Sequence, residues 1–275
     1  MNHIVACGRY RLALERPLVM GIVNITPDSF SDGGRYNSLT AALQRIEQLH
    51  KDGADIIDIG GESTRPGAAA VSVDEELARV MPVIEAAVQL DIPISIDTCK
   101  SEVMIAALKA GVDLINDIAG LEAPGAIEAL QQSQAGVCLM HKQGNPQTMQ
   151  TEPFYHDVVA EVTQYLKVRS QVVINAAIER ERIVLDPGFG FGKTLLHNRA
   201  LFRSLSAMQQ ELDFPLLVGV SRKRMLGELT GREVGDRMVA SVTAAVLAAQ
   251  AGAAIVRVHD VRDTLDALKV WHGLK

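Results

Sequence analysis

The stretch from residue 183 to 193 reads IVLDPGFGFGK, and the types and order of its residues are typical of a ligand-binding site. Three apolar β-formers lead into Asp186, and Pro187 then prevents a central strand from continuing because proline has no N–H to donate. Glycines alternate with phenylalanines after it, and glycine lets a backbone approach a ligand closely. This order favours a ligand site in which Asp186 accepts hydrogen bonds from a polar heterocycle beside an aromatic wall. A glycine-rich turn with a solvated Asp186 is the alternative.

Polar side chains follow the other apolar runs in the same way. They are Asn24, Asp58 with Glu62, Asp97, Asn116 with Asp117, Met140 with His141, Ser221 to Lys223, and Arg257 with His259. Any one of them has an ordinary explanation, such as a helix cap for Asp58, and we expect His141 to be a solvated loop residue. Because acids, amides and bases recur at nearly every strand end, the whole set predicts a site at one edge of a parallel sheet.

Two loops are rich in turn formers and hydroxyl groups. Residues 25–34 read ITPDSFSDGG, which is long for a loop between a strand and a helix. Residues 60–67 read GGESTRPG, so that glycines flank Ser63, Thr64 and Arg65. The second composition suits a lid that closes over an anion. Plain surface loops are the alternative for both.

The elements that must position these residues alternate along the chain. Apolar strands are predicted at 18–23, 56–59, 94–96, 114–118, 137–140, 183–185, 216–220 and 255–258, and a long helix at 155–181. Three segments share a layout in which Gly53, Gly111 or Gly252 ends a helix and an apolar strand follows. Eight such βα units predict an α/β fold, a (β/α)8 TIM barrel, with an open doubly wound sheet as the runner-up. Residues 1–16 are expected to form a small hairpin, and residues 1–275 a single domain.

Composition limits the partners. The formal net charge of −6 argues against nucleic acid, and no run approaches the roughly 20 apolar residues of a membrane span. The odd count of three cysteines fits neither a disulfide framework nor a zinc site. We therefore expect reduced thiols in a cytoplasmic protein.

Six motifs together resemble the dihydropteroate synthase family. They lie at residues 24–33, 60–67, 97–98, 115–117, 185–191 and 221–223, and the resemblance spans about residues 20 to 259. It implies a TIM-barrel enzyme of folate biosynthesis that joins 4-aminobenzoate to 6-hydroxymethyl-7,8-dihydropterin diphosphate and releases pyrophosphate. It further implies use of Mg²⁺, inhibition by sulfonamides and a homodimer.

The resemblance also implies roles for single residues. The pterin is expected to contact Asp97, Asn116, Met140, Asp186 and Lys223, with Gly219 also in the substrate site. The diphosphate is expected to meet Arg257, His259 and Asn24, and Asn24 is the expected ligand of Mg²⁺. The 4-aminobenzoate side is expected to involve Ser63, Thr64, Arg65, Phe191 and Arg224. The expected catalytic residues are Asp97, Asp186, Lys223, Arg257 and His259.

Two other functions share a pterin-binding floor. One is a methyltetrahydrofolate-dependent methyltransferase of a corrinoid system, which resembles this barrel but lacks the two loop motifs. The other is a non-catalytic pterin-binding homologue. Pyrophosphate release on adding both substrates separates an enzyme from a binding protein, and methyl transfer to a corrinoid separates the two enzymes.

Overall fold

The computed structural model describes residues 4–25, 34–63, 70–144, 149 and 151–274, with side chains of the first helix described from Leu39 onward. The strands within these ranges are β1 (Ile4–Cys7), β2 (Tyr10–Ala13), β3 (Leu18–Asn24), β4 (Ile56–Gly60), β5 (Ile94–Asp97), β6 (Leu114–Asp117), β7 (Gly136–Met140), β8 (Ile183–Asp186), β9 (Leu217–Val218) and β10 (Ile255–Val258). The α-helices are α1 (Gly34–Lys51), α2 (Val73–Ala87), α3 (Ser101–Ala110), α4 (Ala126–Gln131), α5 (Val158–Asn175), α6 (Leu195–Arg203), α7 (Leu205–Leu212), α8 (Arg224–Thr230), α9 (Met238–Gln250) and α10 (Val261–Gly273). Among the described helices, none is long and apolar enough to cross a membrane.

Eight of the strands form one parallel sheet, in the order β8-β7-β6-β5-β4-β3-β10-β9. Its outer strands meet where Leu185 of β8 forms a parallel bridge with Leu216, just before β9. The Leu185 N–H also donates to the Pro215 carbonyl at 3.0 Å. The sheet thus closes into a barrel with helices around it, which confirms the predicted TIM barrel over the open sheet.

The apolar runs form strands because both faces of a barrel strand are covered. Val19 and Val23 of β3 pack in the layer beneath the helices. Leu18 and Met20 of the same strand belong instead to a second cluster inside the barrel, together with Val5 of the hairpin. This alternation follows the two-residue period of a strand.

The N-terminal hairpin closes the barrel end at which the strands begin. β1 and β2 pair antiparallel, with Ile4 opposite Ala13 and Cys7 opposite Tyr10. The Arg9 guanidinium binds the Asp113 carboxylate, which lies immediately before β6, at 2.9 and 3.0 Å. The predicted hairpin is therefore confirmed, and it leaves the opposite end of the barrel for the polar strand ends.

The repeated helix-to-strand layout is also confirmed. Gly53, Gly111 and Gly252 have φ angles of 95°, 100° and 98°, a left-handed conformation that glycine adopts without a steric penalty. In each case an apolar strand follows within a few residues. The same turn thus connects three of the units.

Two predicted boundaries were wrong. The helix predicted at 155–181 is α5, which begins after the N-cap Asp157 and ends at Asn175. Ala177 takes a φ of 62°, and a short 3₁₀ turn at Arg180–Arg182 leads into β8. The strand predicted at 216–220 is reduced to Leu217–Val218, and Leu216 just before it forms only an isolated bridge to Leu185.

Candidate active site

Polar side chains meet at the carboxyl end of the barrel because the strand register aligns them. Asn24 lies opposite Gly60, Gly60 opposite Asp97, and Asp97 opposite Asn116. On the far side, Met140 lies opposite Asp186. The sheet therefore brings predicted site residues from five strands to neighbouring positions.

Arg257 joins two of the buried carboxylates. Its Nε donates to Asp58 Oδ2 at 2.6 Å, and its Nη2 donates to Asp97 Oδ2 at 2.8 Å. Asp58 also accepts from Ser95 Oγ at 2.6 Å and from Asn116 Nδ2 at 3.1 Å. We call Asp58, Asp97, Asn116, Asp186 and Arg257 the polar floor. The amide nitrogen of Asn116 is used within this floor, so its carbonyl oxygen is the group that can meet a ligand.

Asp97 has an acceptor that the described residues leave unused. No donor among them reaches Asp97 Oδ1, although the atom is buried. Burial raises the pKa of Asp97 to about 7, and the neighbouring Arg257 guanidinium opposes this rise. A buried oxygen without a donor carries a free-energy cost that a ligand N–H would relieve.

Asp186 forms the second acceptor of the floor. Its Oδ1 accepts from the Gly188 N–H at 2.7 Å, and burial raises its pKa while Lys223 opposes the rise. The Lys223 ammonium donates to the Phe189 carbonyl and lies 4.4 Å from the centre of the Phe191 ring. Burial lowers the pKa of Lys223 to about 8, and Asp186 opposes that change. A carboxylate, a cation and an aromatic face thus stand side by side.

An apolar wall lines the floor on the side of β7 and β8. Ile118, Met140, Met149 and Phe191 form a buried cluster separate from the main core, and Cys99 packs against it. We call these four residues the apolar wall. A flat heterocycle bound between this wall and the polar floor could pack its apolar face against the wall and form hydrogen bonds to the floor along its polar edge.

His141 corrects one expectation. It is buried rather than solvated, and its Nδ1 lies 2.9 Å from the ammonium of Lys193. Burial and the nearby Lys193 charge lower the pKa of His141 to about 3, so the ring is neutral. The ring also stacks edge-on against Tyr165. The expectation of a solvated ring failed because its buried partner lies 52 residues away in the chain.

The turn from Ser221 to Lys223 sends its side chains in different directions. Arg222 has a φ of 57° and binds the Asp260 carboxylate at 2.6 and 3.2 Å. Its N–H also donates to Ser241 Oγ at 2.9 Å. Such anchors hold a backbone conformation that costs free energy for a residue other than glycine. Lys223 is thereby directed toward Asp186.

The remaining predicted residues of β9 and β10 lie close by. His259 Nδ1 is 2.9 Å from Ser221 Oγ, and the His259 carbonyl accepts from Arg45 Nη2 at 2.6 Å. A Cβ on Gly219 would lie 3.7 Å from the Arg257 Cβ, so Gly219 borders the floor. Arg224, in contrast, is exposed and pairs with Glu228 one helical turn later. The structure therefore does not bring Arg224 to the polar floor.

Asn24 borders the floor from β3. A Cβ on Gly60 would lie 3.8 Å from both Asn24 Oδ1 and Asp97 Oδ2, so Gly60 stands beside both side chains. Glu62, two residues beyond β4, binds Lys100 at 2.5 Å and accepts from the Val71 N–H at 3.0 Å. Ser63 is partly buried beside it.

The two predicted loops are only partly described. Thr64 and Arg65, together with most of the loop at 25–34, lie outside the described residues. Their expected roles stay predictions.

Sequence reasoning left three residues out of the site that the structure ties to it. Asp58 appeared only as a strand end, and it anchors Arg257. Ser95 precedes Asp97 by two positions in β5 and so shares its strand face, a signal that could have been used. Lys193 ends the glycine-rich stretch, and nothing in its sequence context indicates that it is buried.

The arrangement can bind a flat polar ring and hold an anion beside it. The floor offers carboxylate and amide acceptors and the guanidinium of Arg257, and Lys223 and His259 supply positive or donor groups at its margin. A ligand that lacks matching donors should bind weakly, because it would leave the buried acceptors of the floor without hydrogen bonds, and this costs binding free energy. Acid–base and electrostatic chemistry are available at this site. Thiol chemistry is disfavoured, because burial raises the pKa of the Cys99 thiol to about 11 and that of Cys138 well above its ordinary value.

The comparisons with known proteins agree with this geometry. Residues 20–259 match the family described as pterin binding enzyme. The chain is 54% identical over 279 residues to the dihydropteroate synthase of Neisseria meningitidis serogroup B, with 99% of this chain and 98% of that protein covered. It resembles Yersinia pestis dihydropteroate synthase in a sulfonamide drug complex with a TM-score of 0.93 and 47% identity, covering 98% of each chain. It resembles Burkholderia cenocepacia dihydropteroate synthase complexed with 7,8-dihydropteroate with a TM-score of 0.89 and 50% identity, covering 98% of this chain and 96% of that one.

Proposed function

Because the chain belongs to the pterin-binding enzyme family and to its dihydropteroate synthases, we infer that it is a transferase of folate biosynthesis. It condenses 6-hydroxymethyl-7,8-dihydropterin diphosphate with 4-aminobenzoate to 7,8-dihydropteroate and releases pyrophosphate. Sulfonamides compete at the 4-aminobenzoate side, in line with the drug complex of the Yersinia pestis relative.

The polar floor is the observation that carries this function. Asp97 Oδ1 is buried without a donor, and Asp186 lies opposite Met140 of the apolar wall. The edge of a pterin presents ring N–H and amino donors together with a carbonyl, so it supplies what these acceptors lack. Met140 then packs against a face of the pterin ring, and Phe191 walls the adjoining 4-aminobenzoate pocket.

The reaction breaks the bond between the pterin methylene and the diphosphate oxygen, and the electron pair leaves with pyrophosphate. Arg257 and His259 hold the negative charge that develops there. The methylene becomes electron-poor, and the Asp97 and Asp186 carboxylates favour that charge. The amine of 4-aminobenzoate supplies the pair for the new C–N bond and then releases a proton, so no protein nucleophile takes part.

A direct assay tests the function. Both substrates are mixed with the protein, and pyrophosphate and dihydropteroate are measured together in equal amounts. Pyrophosphate without dihydropteroate would indicate hydrolysis, and neither product with tight pterin binding would indicate a non-catalytic homologue. Methyl transfer to a corrinoid would indicate the methyltransferase.

We also propose that Mg²⁺ takes part, held by Asn24 and the diphosphate oxygens. The residues fit, because Asn24 offers a hard amide oxygen at the border of the polar floor, 3.8 Å from where a Cβ on Gly60 would lie. The described residues hold no cluster of three or more His, Cys, Asp or Glu that could bind a metal, so most ligands would come from substrate and water. When bound there, the ion would add positive charge beside the leaving group.

A chelator is therefore expected to suppress turnover, and added Mg²⁺ to restore it. Asn24→Ala should raise the Mg²⁺ concentration needed for half-maximal turnover by about tenfold or more, since one of few protein ligands is lost. Titration of activity against Mg²⁺ measures both effects. Full turnover in chelator would mean that the basic residues act without a metal.

The pH dependence should be bell-shaped and narrow. Below about pH 7 Asp97 takes up a proton and loses its negative charge, and the raised pKa of Asp186 acts in the same direction. Above about pH 8 Lys223 loses its charge. We expect kcat/KM for the pterin diphosphate to be highest between these values and to fall on both sides. A flat profile from about pH 6 to about pH 9, with the protein folded throughout, would contradict the assignment.

We further propose that the protein is a cytoplasmic homodimer that associates through an apolar groove. The groove has a volume of about 1010 Å³ and lies between α6, α8 and α9, with exposed Leu229, Val239 and Leu247 on its lining. A surface of this kind on a single copy is typical of an interaction site. The free cysteines support a reducing compartment.

Sedimentation tests the dimer. Val239→Glu with Leu247→Glu places charges in the groove and should give monomers. Val270→Glu is the matched control, since Val270 is a similarly exposed valine on α10 outside the groove. Equal sedimentation of the two variants would contradict the groove as the dimer interface.

A further inference from the structure

A buried lysine stands behind the aromatic loop of the site. Lys193 is 2% exposed, and its ammonium donates to the Gly188 carbonyl at 3.0 Å and the Phe191 carbonyl at 3.1 Å. Its third close partner is His141 Nδ1 at 2.9 Å, with the His141 carbonyl at 3.4 Å. The three protons of the ammonium thus each have a good acceptor, which offsets part of the cost of burying a charge, and burial still lowers the pKa of Lys193 to about 7.

These acceptors belong to the elements that form the site. Gly188 donates its N–H to Asp186 Oδ1 and its carbonyl accepts from the Phe191 N–H at 3.2 Å, so one turn links Asp186 to Phe191. His141 follows Met140 at the end of β7. Lys193 therefore holds the turn of β8 against the end of β7.

The turn has no room to shift toward β7. A Cβ on Gly188 would lie 1.8 Å from the His141 carbonyl oxygen, and one on Gly192 would lie 2.3 Å from the Gln143 carbonyl oxygen. The Tyr155 hydroxyl donates to the Gly192 carbonyl at 3.0 Å. The two segments are in close contact, and the Lys193 ammonium is the charged group between them.

We propose that Lys193 is a positioning residue that fixes the Phe191 ring for capture of 4-aminobenzoate. The inference rests on the proposed function, in which Phe191 walls the 4-aminobenzoate pocket. Lys193 itself contacts carbonyl groups and a neutral imidazole, so it acts on the substrate only through the loop. Because Asp186 belongs to β8 and binds Gly188 through the N–H rather than the carbonyl, we expect the pterin side to change less when Lys193 is lost.

Lys193→Met tests the proposal by steady-state kinetics. We expect the KM for 4-aminobenzoate to rise about tenfold or more, while kcat and the affinity for the pterin diphosphate stay within about threefold of wild type, because small displacements of a wall weaken positioning strongly. Sulfonamide affinity in the presence of pterin and pyrophosphate should fall by a similar factor. An unchanged KM for 4-aminobenzoate, or an equal loss for both substrates, would overturn the proposal.

A matched control separates positioning from stability. Arg182 is also a buried cation that donates to two carbonyls, those of Ala135 and Leu130, but it lies before the start of β8 at the other end of the barrel. Arg182→Met should lower stability and leave the KM for 4-aminobenzoate unchanged. If Arg182→Met raised this KM as much as Lys193→Met, the effect would be one of general stability and the proposal would be wrong.

Substitutions of His141 keep the test open if Lys193→Met fails to fold. His141→Asn retains an acceptor near the position of Nδ1 and should keep the KM for 4-aminobenzoate close to that of wild type. His141→Leu removes that acceptor and should raise it. Identical kinetics for the two His141 variants would overturn the proposal, whereas wild-type protein that makes no dihydropteroate would instead contradict the proposed function.

Discussion

Asp186→Asn should fold normally and lose at least about 100-fold in affinity for the pterin diphosphate. The change keeps the shape of the side chain and leaves an oxygen that can still accept from the Gly188 N–H. It replaces the other carboxylate oxygen by an NH₂ group, which meets the donors of the pterin edge with another donor. Stranding a buried donor costs about 1–3 kcal/mol, and more where a charge is involved, and about 1.4 kcal/mol corresponds to a tenfold change in affinity. Asp186→Ala should show the same loss.

Calorimetry with the pterin diphosphate measures this effect, and thermal unfolding checks the fold. Asp117 provides the matched control because it is also a buried carboxyl group at a strand end, with a pKa raised to about 6 by burial. Its oxygens accept from the Ala119 and Leu121 N–H groups at 2.7 and 2.6 Å, so they serve a turn. Asp117→Asn should lower stability and spare pterin affinity. Pterin affinity of Asp186→Asn within a few-fold of wild type would remove Asp186 from the site.

Much of this site follows from the sequence because the barrel imposes a simple rule. Once the apolar runs are recognised as parallel strands, their polar ends must lie at one end of the barrel. Asp97, Asn116, Asp186 and Arg257 can therefore be grouped by their positions in the chain, and β10 carries Arg257 to carboxylates of β4 and β5 as the closed order requires.

Contacts between loops do not follow from that rule. The burial of His141 depends on the single side chain of Lys193, whose position is set by the turns of the glycine-rich loop. Local propensity likewise does not predict the end of α5. Ala177 adopts a left-handed conformation there, and alanine has no preference for that conformation. The pairing of Arg257 with Asp58 is a contact 199 residues apart, and the sequence shows only that both groups sit at strand ends.

Arg257→Met should abolish turnover and also destabilise the barrel. The Asp58 side chain is fully buried, and the guanidinium is its charged partner as well as that of Asp97. Removing one member of such a buried network typically costs about 3–5 kcal/mol, because a carboxylate is left without its counter-charge. The leaving pyrophosphate also loses a cation, for which we expect a drop in kcat/KM of at least about 1000-fold. Arg257→Lys keeps the positive charge but lacks the planar guanidinium that donates to both carboxylates at once. We therefore expect kcat/KM of this variant to fall by about 100-fold.

A double variant separates the two effects of Arg257. In Asp58→Asn with Arg257→Met, neither the guanidinium nor the Asp58 carboxylate remains, so the free energy of unfolding should recover by about 1–2 kcal/mol relative to Arg257→Met alone. Turnover should stay lost, because neutralising Asp58 does not replace the cation beside the diphosphate. Chemical denaturation and single-turnover kinetics on the same preparations provide the two measurements. If turnover returned together with stability, Arg257 would serve only to neutralise the polar floor, and the charge on departing pyrophosphate would have to be held by other groups such as His259 and Lys223.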